Sequence, residues 1–345
     1  MHASRKAYVN RNRVFVLPLL SLLIGVLVGL GACELVLRLA GFQPWRYGTV
    51  NPAEPTMHEP DPILGWRNKQ GSYLFPSYLP GTEYIRVTFV DGGLRATGTK
   101  MGPGRDRIAI IGCSDTQGWG LPDEETYPWK LQSLYPSVEV RNYGTAAYGT
   151  YQCLLTLERI FSEHVSPGIV IYSFIEAHEE RNVATCKWLM LLSLFSKRGH
   201  VYIPYCTIDR EGNLVRHPPE CYPQWPLSDY LASINLLQKQ YARMRTSRRT
   251  LQKRIVTEKL LLEMQNLCKK NNAQFIVAIL NMGEIKPQYI NFFKDHNIRC
   301  IDCAYPLTED FQIPCDGHPN AKMNSLWAHC IGEAISRNIS QLGAR

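Results

Sequence analysis

A serine hydroxyl attacks an acyl carbon only when a base takes its proton and a third group fixes the tautomer of that base. Four short stretches of this 345-residue chain hold residue types suited to such a relay, each just after an apolar run. Gly112-Cys113-Ser114-Asp115-Thr116 follows Ile108–Ile111, and Asn142-Tyr143-Gly144 closes the run that starts at Val138. "IEAHEERN", with His178, follows Gly168–Phe174, and "CDGHPN", with Asp316 and His318, comes after Ile298–Cys303. Ser114 as nucleophile, His318 as general base and Asp316 as the carboxylate that orients it would complete the relay. Backbone N–H groups near Ser114 and Gly144 would hold the developing oxyanion, a contribution worth several kcal/mol in such sites. The frame here is G-x-S-x-x-x-G, so the G-x-S-x-G elbow of the α/β-hydrolases is absent.

These stretches converge only if the elements around them alternate. Apolar runs at 107–113, 138–143, 168–174, 274–280 and 298–303 read as strands. Helices are expected at 126–134, at 150–164 with Leu154, Leu157 and Phe161 on one face, at 257–270, at 288–296 and after Asn320, a good N-cap. Five strands alternating with helices predict a doubly wound parallel sheet of flavodoxin-like order, covered by helices on both faces. In such sheets ligands bind beyond the carboxyl ends of the strands, and all four stretches fall on that edge. Residues 106–342 are expected to form this domain, with an insertion over about 182–256. Residues 41–105, rich in Pro, Gly and Tyr, read as a juxtamembrane linker and a partly β extension lying on it.

Ahead of the domain, Val14–Cys33 is 20 residues without a charge, about 30 Å as a helix and enough to span a bilayer. Arg5, Lys6, Arg11 and Arg13 precede it and Glu34 ends it. Basic flanks stay inside, so residues 1–13 are expected in the cytoplasm, 14–40 as an uncleaved signal anchor in the inner membrane, and the rest in the periplasm. Leu30-Gly31-Ala32-Cys33 also fits a loose lipoprotein cleavage box, but the helical pattern runs on through "ELVLRLAG".

The four blocks resemble the SGNH (GDSL-type) hydrolase superfamily. Its G-D-S-x-T-x-G block is matched by Gly112 to Gly118, its N-x-G turn by Asn142-Tyr143-Gly144, and its G-N-D block stands as Ala177-His178-Glu179. Its closing Asp before His-Pro-Asn is matched by Asp316 to Asn320, and the blocks occur in the family's order over about 106–340. The anchor and "HEPDPILGWRN" are similar to the membrane-anchored bacterial branch. The resemblance implies acyl-ester chemistry through an acyl-serine, with no cofactor or metal. It also implies His178 in the place of the asparagine that donates to the oxyanion. The single residue between Asp316 and His318, also seen in the branch that acetylates exopolysaccharides, points to O-acetylated saccharides or other short acyl esters as substrates. Three departures stand out: Cys113 for the usual aspartate, Asp115 for a bulky apolar residue, and His178 for asparagine. Cys113 reads as small buried packing. A carbohydrate O-acetyltransferase shares the first half-reaction, and a degenerate module that only binds glycan or protein is the other alternative.

Eleven cysteines leave further choices. Cys206 and Cys221 flank a stretch with a hairpin turn at Glu211-Gly212-Asn213, and bridging them would contribute on the order of 3 kcal/mol. Cys300, Cys303, Cys315 and His318 have zinc-ligand spacing, which would make His318 structural and leave Asp316 without a role. The net charge of +8 is partly local. No zinc-finger, RRM or helix-turn-helix pattern or aromatic-interleaved basic surface is present, so nucleic acid is not an expected partner. The cluster Arg243, Arg245, Arg248, Arg249, Lys253 and Arg254 reads as a solvated helix face, with contact to acidic lipid headgroups as the sharper alternative.

Overall fold

The computed structural model describes residues 3–46, 57–78, 81–98, 107–163, 165–194 and 201–342. Residues 1–2 of the expected cytoplasmic tail, 47–56, 79–80 and 99–105 of the extension, and 195–200 of the insertion lie outside the described residues. Two compact units are present, Met1–Gly48 with Tyr222–Arg245, and Thr49–Cys221 with Thr246–Arg345.

The larger unit carries the sheet. Strands Arg107–Ile111, Glu139–Asn142, Ile169–Ile175, Gln274–Asn281 and Arg299–Asp302 are parallel, and the first lies between the second and the third. This is the flavodoxin-like order that the alternation predicts. The strands are apolar along their length because both faces are covered, and Ile169–Ile175 is buried at every position. Ile108, Ile110, Ile171, Ile276 and Trp327 share one core. Burying each such aliphatic side chain stabilises by about 1.5–3 kcal/mol relative to leaving it in water. Helices Tyr127–Leu134, Thr150–Ser162, Lys253–Lys270, Lys286–Asp295 and Ala321–Leu342 supply the covering layers. The last is capped as expected, with Asn320 Oδ1 accepting from the Lys322 and Met323 N–H groups at 3.0 and 3.2 Å.

The sheet has eight strands rather than five. Leu94–Arg95, Tyr84–Val90 and Gly71–Pro76 continue it antiparallel beyond Glu139–Asn142, joined through the Arg95–Asn142 pair. These three strands therefore extend the sheet instead of lying on it. Tyr84–Val90 alternates cleanly, with Ile85, Val87 and Phe89 facing inward. Those residues pack with Phe75 and Met57, and Trp119 of the loop after Ser114 packs against them.

The insertion contains the expected hairpin, Ile203–Ile208 with Leu214–Glu220 and Gly212 in the left-handed region. The expected Cys206–Cys221 bridge does not form, and Cys206 is a buried thiol. The disulfide instead joins Cys303, after the last strand, to Cys330 on the final helix. That removes Cys303 from any zinc set. Cys315 is exposed, and among the described residues no cluster of ligating side chains fits a metal ion. Arg249 also departs from the solvated-face reading. It is buried, donates to the Ala184 carbonyl at 2.6 Å, pairs with Glu220 and lies over the Tyr205 ring.

In the smaller unit the apolar run lies within one continuous helix, Ala3–Leu39. Its Val16–Leu39 portion has a mean hydropathy of 2.5 and none of it is buried within the protein.

Candidate active site

The turn that carries Ser114, the expected nucleophile, is held by a dense set of hydrogen bonds. After Ile111 the chain enters a four-residue helix, Ser114–Gln117, with Cys113 accepting from the Thr116 and Gln117 N–H groups. Thr116 is fixed from the side by the Tyr127 hydroxyl at 3.2 Å, which also meets Ser173 Oγ at 2.5 Å. Asn142 Nδ2 donates to the Thr116 carbonyl at 2.8 Å, and its Oδ1 accepts from the Gly144 N–H at 2.8 Å. The second loop thus rests directly on the nucleophile turn. A Cβ at Gly144 would overlap the Gln117 nitrogen and the Thr116 carbonyl carbon, so only glycine fits there.

His318 arrives from the last loop. The Ile313 N–H donates to the His318 carbonyl at 2.7 Å, and Gln312 pairs with Pro319, closing a short ring around Asp316. The Ser114 hydroxyl donates to His318 Nε2 at 3.0 Å, and His318 Nδ1–H donates to Asp316 Oδ2 at 2.6 Å. Three residues separated by up to 204 positions thus form one unbroken relay. Ser114 is buried, at 7% exposed.

Electrostatics suit the roles. Burial alone would lower the His318 pKa, but its bond to Asp316 and the charges of Asp115 and Asp316 outweigh that and hold it above the ordinary 6.5. Burial would raise Asp316, but its bonds to His318 prevail and keep it in the ionised form. A bond from the Trp119 side chain lowers it further, and the Trp119 ring packs 6.0 Å from the His318 ring. Cys113 is pushed up to about 11, chiefly by burial and then by the Asp115 charge, so it is a thiol and not a nucleophile. Asp115 is buried beside the relay rather than pointing to solvent. Burial raises its pKa, offset in part by the His318 and Arg181 charges.

The expected oxyanion donors are less complete. The Gly144 N–H is already engaged by Asn142. His178 sits on the same sheet edge but is fully buried, with its ring near Tyr172 and Phe174. Burial, then the Arg181 charge, lowers its pKa well below the usual imidazole value, so it is neutral. Its Nδ1 meets the Tyr172 hydroxyl at 2.6 Å, while its buried Nε2 has no partner among the described residues. The Tyr172 hydroxyl also donates to Thr150 Oγ1 at 2.8 Å. A tyrosine has one hydroxyl proton. Given to Thr150, it leaves Nε2 of His178 a bare acceptor; given to His178, it places the proton on Nε2.

One charged residue near the relay escapes motif reading. Arg181, three positions beyond His178, donates to the Tyr148 carbonyl at 2.8 Å and lies over the Trp188 ring at 4.6 Å. Its charge lowers the pKa values of Cys113, Asp115 and His318 together. The only sequence signal was a lone arginine ending an acidic run after the third strand.

No protein-family model matches this chain, and no curated protein does. Among solved structures, it is similar to a member of the lipolytic protein G-D-S-L family from Veillonella parvula, at 14% identity, over 67% of this chain and 98% of that one, with a TM-score of 0.40. It is also similar to the psychrotrophic esterase EstA from Pseudoalteromonas sp., at 13% identity over 68% and 99% of the two chains, TM-score 0.40. A third is AlinE4, an SGNH-hydrolase family esterase, at 12% identity over 70% and 98%, TM-score 0.36.

Proposed function

We propose that this chain is a membrane-anchored serine ester hydrolase of SGNH type, with its active site outside the cytoplasm. The observation that carries the reading is the relay from the Ser114 hydroxyl through His318 to Asp316, at 3.0 and 2.6 Å. Ser114 Oγ attacks the ester carbonyl as His318 Nε2 takes its proton, and Asp316 stabilises the imidazolium that forms. His318 then returns the proton to the leaving alkoxide. Water, activated by the same base, releases the acyl group from Ser114. The Ser114 N–H, which opens the short helix, faces the oxyanion. Gly144 donates to it by sharing its N–H with Asn142, and His178 joins them only if the Tyr172 hydroxyl turns from Thr150 to His178 Nδ1 and so puts the proton on Nε2. No cofactor enters this scheme.

The substrate we favour is a saccharide carrying short O-acyl groups such as acetate. The Asp-x-His spacing and a buried carboxylate at Asp115, able to accept from a sugar hydroxyl, support that choice. Transfer to a second sugar would use the same acyl-serine, with the acceptor replacing water. Anchoring through Val16–Leu39 is supported by the length and hydropathy of that helix and by its unbroken course past Cys33. A disulfide at Cys303–Cys330 suits an oxidising compartment and so supports the periplasmic side.

The test is covalent labelling. A fluorophosphonate probe should label the wild type and hydrolysis of p-nitrophenyl acetate should accompany it, with both lost in Ser114→Ala and His318→Ala. Folded wild type showing neither signal would leave a binding role, or a transferase that needs its own donor.

A further inference from the structure

We propose that residues 222–245 form a membrane-interface element, lying in the headgroup layer of the bilayer that the long helix crosses between Val16 and Glu34. The proposal rests on the reading of that helix as a membrane span.

The first observation is how this segment is fastened. Glu34, in the last turns of the long helix, caps a second helix, Ala232–Thr250. Its carboxylate accepts from the Ala232 N–H at 2.8 Å, the Ser233 N–H at 3.0 Å and the Ser233 hydroxyl at 2.8 Å. Arg38, one turn on, donates to the Tyr230 carbonyl at 2.6 Å. The Trp45 N–H donates to the Ser228 carbonyl at 2.7 Å, and its ring stacks on Tyr222 at 5.1 Å. Asn235 donates to the Gln43 carbonyl at 2.8 Å. Glu34 lies 18 residues beyond Val16, roughly 27 Å along a helix, close to the ~30 Å hydrocarbon thickness of a bilayer. The carboxylate therefore emerges at the hydrocarbon boundary, and the helix start that it caps is held there with it.

The second observation is that this helix is inside out. Toward the protein it buries Ala232, Asn235, Gln238 and Ala242, which are small or polar. Leu237, Tyr241 and Met244, at i, i+4 and i+7, are 56%, 42% and 73% exposed. The preceding loop adds Leu227 and Tyr230, both exposed. Arg243 and Arg245, also exposed, flank the stripe. A helix facing water has the opposite pattern. An aliphatic stripe with tyrosines along it matches a helix lying in the interface, where the apolar face enters the acyl boundary and the tyrosines sit at headgroup level. The partner is the lipid surface itself.

The experiment places an encoded environment-sensitive fluorophore at Leu237, Tyr241, Met244 or Leu23, one site at a time. The full chain is reconstituted in phosphatidylcholine–phosphatidylglycerol vesicles. Probes at 237, 241 and 244 should emit to the blue of the free fluorophore in buffer and be quenched by lipids doxyl-labelled near the headgroup. The probe at Leu23 should be quenched by lipids labelled deep in the chain. If Leu23 behaves so while the other three emit as in water and yield only to iodide, the interface assignment is overturned and the span stands. If Leu23 itself is water-exposed, the span reading fails and the interface assignment fails with it.

Discussion

His318 Nδ1 lies 2.6 Å from Asp316 Oδ2, although only Gly317 separates the two residues in the chain. A carboxylate so near in sequence reaches its histidine only if the backbone doubles back, and Gly317 permits this with φ at +84°. The His318 N–H, 3.3 Å from the same oxygen, helps hold the fold-back. Asp316→Asn should preserve this geometry while removing the charge that stabilises the imidazolium, so kcat should fall on the order of 10³–10⁴-fold. Gly317→Ala has open space for its methyl group but must adopt the left-handed region, which costs roughly 1–2 kcal/mol. It should lower kcat modestly and Tm by a few degrees. Equal activity in Asp316→Asn and the wild type would remove Asp316 from the mechanism.

The base must be neutral to accept the serine proton, so kcat/KM should rise with pH through the His318 titration. Because Asp316 and Asp115 hold that pKa above 6.5, the rising limb should have its midpoint above the ordinary imidazole value. Asp115→Asn removes one of the charges that favour the imidazolium, so the midpoint should move to lower pH. It also removes a negative charge close to the developing oxyanion, so the plateau rate on a simple ester should hold or increase. A pH–rate profile of both proteins settles this, and an unmoved midpoint would mean that the Asp115 charge does not reach His318.

Arg181 brings a positive charge close to a reaction that creates a negative one. Arg181→Met should therefore lower kcat about 10–100-fold on p-nitrophenyl acetate with little change in KM, and Arg181→Lys should recover part of the loss. His178 gives the contrasting case. If its Nε2–H serves the oxyanion, His178→Asn should keep most of kcat while His178→Ala loses on the order of 10²–10³-fold. A His178→Ala variant with lowered Tm but wild-type kcat would confine the residue to packing against Tyr172 and Phe174.

The difference between what was and was not legible in the chain follows from locality. Ile108–Ile111 and Gly168–Phe174 announce themselves because a strand buried on both faces must be apolar throughout. Ser114 was legible because it follows such a run, and Asp316 and His318 because Asp-Gly-His comes after the last strand. The alternation of Ile85, Val87 and Phe89 is equally visible in the chain, but an antiparallel edge can pair with any free neighbour. The single Arg95–Asn142 bridge that decides the matter joins residues 47 positions apart. Arg181 reads as one more surface charge until Tyr148 and Trp188 place it. The pairing of Cys303 with Cys330 was beyond counting cysteines, because spacing carries no connectivity. The inverted burial of Ala232–Thr250 was hidden for a related reason: polar residues such as Asn235 and Gln238 become core only through partners at Gln43 and Trp225.

The disulfide offers a prediction that separates stability from chemistry. It ties the end of the last strand to the helix whose Trp327 fills the core between them, closing a loop over a separation of 27 residues. In the chain-entropy model such a crosslink stabilises by about 3.5 kcal/mol. The loop bearing Asp316 and His318 begins and ends inside that closed segment, so loosening it should reach the site only through unfolding. Cys330→Ser, or mild reduction of the wild type, should lower Tm by several degrees while leaving kcat at low temperature close to unchanged. Measuring both on one preparation decides the point. If kcat falls with Tm untouched, the disulfide is positioning His318 rather than holding the domain together.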